Sequence, residues 1–271
     1  MIRAFFKTAG LVLLTLALLP PYGIAYPFGH DARNVIIRAW HRAVCVILGL
    51  KVVQQGRPIV GDGNLFVANH SSYLDIPVLG SRVNAMFVAK TEVSGWPMFG
   101  VLARLANTVF IERKAGRAKV QARLFRALLS RGEKLLLFPE GTSTDNTCVA
   151  RFKSSLFQGV VDNARKDTTF VQPVTIAYLF TADGEPMGAD EREGYVWYGG
   201  HGFFDHLGAL LKGPGCEIHI LFHDPVPVRF FTCRKDLARH LEHTVRLGHI
   251  ALSGRAHYPE EEPGDVVPAL S

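Results

Sequence analysis

A chain of 271 residues with 48% hydrophobic residues has room for one large α/β domain and a sizeable core. Its formal net charge is +6, and because residues 259–271 hold four acids and no Lys or Arg, the preceding 258 residues stand at +10. That balance suits anionic membrane surfaces, phosphorylated substrates or acidic carrier proteins. With no basic run interleaved with aromatics and no zinc-finger or RNA-recognition spacing, it excludes nucleic acid.

In chain order, Thr8–Gly29 forms a stretch of 22 residues without Asp, Glu, Lys or Arg, long enough to span a bilayer. Pro20-Pro21 is expected to break it, so a bent or re-entrant anchor stands beside a straight span. With Arg3 and Lys7 on one flank and Arg33, Arg38 and Arg42 on the other, positive charge does not choose an orientation and suits both flanks facing the cytoplasm, so the expected location is the inner membrane with the site on its cytoplasmic side. A secretory signal peptide is the competing reading, although no small-residue cleavage site follows. Residues 33–50 have helical periodicity, suited to lying along a membrane interface or packing on the domain. We therefore divide the chain into an anchor and amphipathic helix (1–50), a domain (51–253) and a disordered acidic tail (254–271).

Leu65–Ala68 reads as a buried strand, and Ser72 opens a Ser-x-x-Asp helix start. Between them, His70 falls at a strand end and Asp75 in a first helical turn. Five residues apart, they would point to opposite faces of one strand and lie roughly 140° apart on one helix, so a turn is what lets them meet. In that geometry the carboxylate fixes the tautomer of a histidine acting as general base. The alternative is a capping box, Asp75 with Ser72, beside a polar strand exit.

Further strands are expected at Ala85–Ala89, Thr108–Ile111, Leu135–Phe138, Val171–Tyr178 and Glu217–Phe222. Helices are expected from Pro97 and over 117–129, and a long loop over 181–202. The alternation predicts an α/β fold: a mixed, largely parallel sheet flanked by helices, with an N-terminal hydrophobic membrane-associated helical segment. Ligands collect beyond the carboxyl ends of such strands. Two more polar clusters fall there. Phe110-Ile111-Glu112-Arg113 delivers a guanidinium suited to phosphate, and Phe138-Pro139-Glu140-Gly141-Thr142 supplies a glycine turn whose N–H and hydroxyl groups can cradle an anion. Cys45, Cys148, Cys216 and Cys233 have no metal-ligand rhythm and read as free thiols in a reducing compartment.

Taken in order, these blocks resemble the glycerophospholipid acyltransferase superfamily, most closely the bacterial 1-acylglycerol-3-phosphate acyltransferases. Asn69–Asp75 is similar to the family's His-x4-Asp motif, Phe110–Arg113 to its arginine motif, Phe138–Thr142 to its Phe-Pro-Glu-Gly-Thr block and Val171–Val174 to its proline-containing block. The resemblance implies an O-acyltransferase with His70 and Asp75 catalytic. Arg113, Glu140, Gly141, Thr142 and Lys153 would bind substrate, a lysolipid would be acceptor, and acyl-CoA or acyl carrier protein donor, with no metal and no cofactor.

Asn107-Thr108, where relatives commonly have glycine before the arginine motif, and Ser155, where many have glycine, depart from the pattern. Lys90–Pro97 and Phe152–Phe157 also look like members that acylate lyso-ornithine lipid. The acceptor is expected to be 1-acylglycerol-3-phosphate, with lyso-ornithine lipid the alternative. A serine hydrolase is disfavoured because Gly-x-Ser-x-Gly is absent. A non-catalytic lipid-binding protein is the alternative of another class.

Overall fold

The computed structural model describes residues 1–112, 115–163, 165, 167–200 and 202–254. Arg113 and the tail from residue 255 onward, on which two expectations fall, lie outside the described residues. Two long helices, α1 (Ile2–Ala25) and α2 (His30–Leu48), lead into β1 (Leu50–Gln55). The chain continues through β2 (Leu65–Ala68), α3 (Asp75–Gly80), β3 (Met86–Lys90), α4 (Phe99–Leu105), β4 (Val109–Ile111), α5 (Ala118–Ser130) and β5 (Leu135–Leu137). It ends with α6 (Gln158–Val161), β6 (Phe170–Thr181), α7 (Ala189–Glu193), α8 (Phe203–Lys212), β7 (Cys216–Phe222), β8 (Val226–Pro227) and α9 (Arg234–Ser253).

The strands lie in the order β1-β7-β6-β2-β5-β3-β4, with β8 beside β6. Among the described residues only the β6–β7 and β6–β8 pairings are antiparallel, so the mixed, largely parallel sheet is what forms. All four residues of β2 are buried, as a central strand covered on both faces requires. Phe66 and Ala68 face a core that takes Val44 and Leu48 from α2, Leu79 from α3 and Leu210 from α8. Leu65 and Val67 face the other, with Phe125 of α5, Val160 of α6 and Leu241 of α9. Because β2, β5, β3 and β4 run parallel, their carboxyl ends share one edge. The turn after β2, the segment after β4 and the turn after β5 all leave from it.

Pro20-Pro21 does not break the first helix: α1 continues to Ala25 with both prolines inside it. Packing along α2, including the Trp40 indole N–H donating to the Thr15 hydroxyl at 3.0 Å, supplies tertiary support against the local penalty. Helix α2 is a packed helix, burying Arg33, His41, Val44, Cys45 and Leu48. Gly80 of α3 meets it so closely that a Cβ there would lie 2.5 Å from the His41 ring. The expected loop over 181–202 contains the short helix α7.

The apolar segment Ile2–Phe28 holds an 18-residue window with a mean hydropathy of 1.8, is long enough to cross a membrane, and is mostly exposed over that window. Ile2, Phe5, Phe6, Leu13 and Leu16 are among its uncovered side chains, and this points to membrane association. Its foot is fastened by Lys7, which is buried and donates to the carbonyls of Leu48, 2.7 Å away, and Gly213, 3.0 Å away. One ammonium thereby serves the carboxyl-terminal ends of both α2 and α8. Lys7→Met keeps the length and removes both bonds. It is expected to cost about 1–3 kcal/mol and to make the chain between α1 and α2 cleavable by protease in detergent; an unchanged melting temperature and cleavage pattern would remove Lys7 from this role.

Candidate active site

His70 and Asp75 meet as the turn between strand and helix requires, with Nδ1 of His70 2.8 Å from Oδ2 of Asp75. Asp75 opens α3 and is fully buried. Its Oδ2 also accepts the backbone N–H groups of Ser71 at 2.8 Å and Ser72 at 3.0 Å, while Oδ1 accepts the Tyr178 hydroxyl at 2.7 Å. Four donors converge on one carboxylate, which is how a buried charge is held where, among the described residues, no ammonium or guanidinium pairs with it. Since Asp75 only accepts, Nδ1 of His70 carries the hydrogen and Nε2 keeps its lone pair. The His70 ring stacks on Phe138 with centroids 4.2 Å apart, and its side chain is 22% exposed, which leaves it reachable from the sheet edge.

Neighbouring segments hold this turn from several sides. Asn69 exchanges two hydrogen bonds with the Ile176 backbone, at 2.9 Å and 2.8 Å, tying the end of β2 to β6. Asn146 donates to the Ser71 hydroxyl and the Ile176 carbonyl and accepts the Tyr178 N–H. It sits at φ +60°, where asparagine is tolerated better than most side chains. The Ser72 hydroxyl donates to the Tyr195 carbonyl, and the Trp197 N–H to the Ser71 carbonyl.

Glu140, expected to contact substrate, is turned inward and only 2% exposed. Its two oxygens accept the backbone N–H groups of His70 at 2.6 Å and Ala150 at 2.8 Å, so it clamps the catalytic turn to the segment after β5. Burial pushes its carboxyl up to about 8, against the pull of those two donors. Gly141 sits at φ +72°, and a Cβ there would lie 2.5 Å from Nζ of Lys153, so the ammonium rests over the glycine. The Lys153 N–H donates to the Pro139 carbonyl at 2.9 Å, and Thr142 and Lys153 are exposed at the rim. The structure thus brings together His70, Asp75, Glu140, Gly141, Thr142 and Lys153, the last three as a surface and Glu140 as a brace behind it. Tyr178 and Asn146 had no part in the sequence-based site. A tyrosine hydroxyl at the end of the expected strand Val171–Tyr178 was the available signal for Tyr178.

The fold is α/β, and the imidazole and carboxylate are arranged as a general base and its orienting partner would need to be. The Acyltransferase family model matches residues 49–177. A lyso-ornithine lipid O-acyltransferase of Brucella abortus is 35% identical over 259 residues, which cover 94% of this chain and 97% of that protein. A 1-acyl-sn-glycerol-3-phosphate acyltransferase of Neisseria meningitidis is 34% identical over 141 residues, 50% of this chain and 54% of that protein. The crystal structure of the 1-acyl-sn-glycerophosphate acyltransferase PlsC from Thermotoga maritima matches with a TM-score of 0.67 at 21% identity, covering 96% of this chain and 99% of that one, a likeness of fold. The chain belongs to the glycerophospholipid acyltransferase superfamily, and it is an acyltransferase.

Two predictions follow from the geometry. His70→Ala is expected to lower transfer by roughly 10²–10⁴-fold. Asp75→Asn keeps the fold, because its oxygen can serve the three donors at the Oδ2 position and its amide can face the Tyr178 oxygen, but loses the charge and slows transfer strongly. Tyr178→Phe, which strips Oδ1 of its hydroxyl donor, costs about tenfold, the worth of one hydrogen bond to a buried charge. A folded His70→Ala protein at near wild-type rate would contradict the assignment.

The second prediction concerns pH. Because the folded-state value for Glu140 lies above its ordinary value of 4.5, its contribution to stability is present at pH 4 and is lost as pH rises through about 8. Melting temperatures between pH 5 and 8 should fall less steeply for Glu140→Gln than for wild type, although the variant is less stable at pH 5 because one backbone N–H faces an amide donor. Parallel curves would show that Glu140 does not titrate in this range.

Proposed function

We propose that this acyltransferase moves a fatty acyl group from a thioester, acyl-CoA or acyl carrier protein, to the hydroxyl of a lysolipid at the cytoplasmic face of the inner membrane. The observation that carries the reaction is the His70–Asp75 pair, bonded through Nδ1 with the His70 side chain 22% exposed. His70 takes the acceptor hydroxyl proton as the oxygen attacks the thioester carbonyl. The tetrahedral intermediate then expels the thiolate, which recovers that proton from the imidazolium. Asp75 stabilises the imidazolium throughout and no covalent enzyme intermediate is needed.

For the acceptor we place lyso-ornithine lipid first and 1-acylglycerol-3-phosphate second, reversing the order taken from the motifs. Similarity to the Brucella lyso-ornithine lipid enzyme runs nearly the whole length of both chains, whereas the Neisseria glycerol-phosphate enzyme is matched over half. The departures at Asn107-Thr108 and Ser155 agree with this order. Lys153, Thr142 and Gly141 form the surface offered to the head group, and Arg113 is assigned to the same task. An ornithine head group presents a carboxylate to these cations, and a phosphomonoester would present a phosphate.

Purified protein offered lyso-ornithine lipid and lysophosphatidic acid in parallel, with products read by mass spectrometry, is expected to form ornithine lipid faster. Arg113→Lys keeps the charge but loses the planar fork, so it should raise the Michaelis constant for the preferred lysolipid and change that for the donor less. Faster formation of phosphatidic acid would restore the second reading. Thioester loss without either acylated lipid would sink both.

A further inference from the structure

An apolar face separate from α1 leads to the catalytic turn. Met98 and Val101, at the start of α4, are 59% and 53% exposed, and Phe204, at the start of α8, is 76% exposed. Single exposed apolar residues mean little, but ring contacts join the two helix starts that carry these three. Phe203 packs on Phe99 at 5.0 Å, on Trp96 at 5.3 Å and on Phe204 at 5.4 Å, so the starts of α4 and α8 form one patch. Phe203 also meets Tyr73 at 5.1 Å, and Tyr73 lies within the turn from His70 to Asp75. The aromatic cluster thus runs from the exposed face to the site.

Both helices that carry the patch are joined to the apolar N-terminal helix. The Tyr22 hydroxyl of α1 donates to the Leu105 carbonyl at the end of α4, at 2.7 Å. Leu11 and Leu14 of α1 share a hydrophobic cluster with Leu207 and Leu211 of α8. α4 is also seated firmly: a Cβ on Gly100 would lie 2.2 Å from the Ser94 carbonyl oxygen. Met98, at φ +62°, is held outward by a backbone that a free loop would relax.

We propose that Met98, Val101 and Phe204 form a second contact with the lipid bilayer, beside α1, and that the acceptor leaves the bilayer across the Trp96–Phe203–Tyr73 cluster to reach His70. The occupant is lipid because the helices that carry the face are joined to α1, whose apolar side chains are uncovered. A contact through α1 alone would leave the protein free to roll about that helix's axis; a second contact beside it fixes which way the site faces. Only the activity arm of the test rests on the lysolipid reading.

The test uses the full chain with the double substitution Val101→Glu and Phe204→Glu. Transfer to a long-chain lysolipid embedded in phosphatidylethanolamine and phosphatidylglycerol vesicles should fall about tenfold, while transfer to a short-chain monomeric lysolipid stays within about twofold. In a Trp40→Phe background, vesicles with brominated acyl chains should quench Trp96 and Trp197 fluorescence, and the double substitution should abolish most of that quenching whether or not transfer occurs. Equal loss on both acceptor forms, equal rates on both, or no quenching in the parent would overturn the proposal. So would a concentration-dependent dimer that the double substitution dissolves, which would assign the face to a second copy. Failure of every lysolipid as acceptor would refute the function and leave quenching to decide the contact.

Discussion

A single buried carboxylate organises this protein. Asp75 has no exposed surface and, among the described residues, no guanidinium or ammonium paired with it, so its charge is held by two backbone N–H groups, a tyrosine hydroxyl and the histidine beside it. An unsatisfied oxygen there would cost about 1–3 kcal/mol. That requirement fixes the local architecture. The turn after β2 must point successive N–H groups inward, α3 must begin at Asp75, and β6 must extend far enough to bring Tyr178 under it. The bonds from Asn69 and Asn146 keep the β6 end and the turn in register, so the geometry of the imidazole depends on segments far apart in the chain.

Parallel strands make that convergence possible. The ends of β2 and β5 leave the same edge, and Glu140 joins them by accepting one N–H from each departing segment. The two buried carboxylates contrast in kind. Asp75 has four donors and keeps an imidazole oriented, whereas Glu140 has two backbone donors and burial has raised its carboxyl toward neutrality near pH 8. The first orients the imidazole; the second ties the segment that carries Gly141 to the turn that carries His70.

Much of this was legible in the sequence where local pattern and spacing carry the information. The apolar runs at Leu65–Ala68 and Leu135–Leu137 became central strands, and the strand-to-helix turn brought His70 and Asp75 together. Strand β1, Leu-Lys-Val-Val-Gln-Gln, was not assigned, since half of its residues are polar and only pairing with β7 makes it a strand. The stripe Leu237-Leu241-Val245 that marks α9 was present and was passed over. Pro20-Pro21 misled because the penalty of proline is local while the packing along α2 is tertiary. The motif around Glu140 named the residue but not its direction, which is set by the turn at Gly141 and the donors waiting behind it.

The central claim is that Asp75 holds His70 as the Nδ1–H tautomer with Nε2 free to take a proton. Nitrogen-15 chemical shifts of His70 in histidine-labelled protein, assigned by their loss in His70→Ala, report that tautomer directly. The account predicts that in the neutral ring of the resting enzyme Nδ1 carries the hydrogen and Nε2 does not, with this preference weakened in Asp75→Asn. A resting Nε2–H tautomer, or a tautomer ratio indifferent to Asp75, would contradict it.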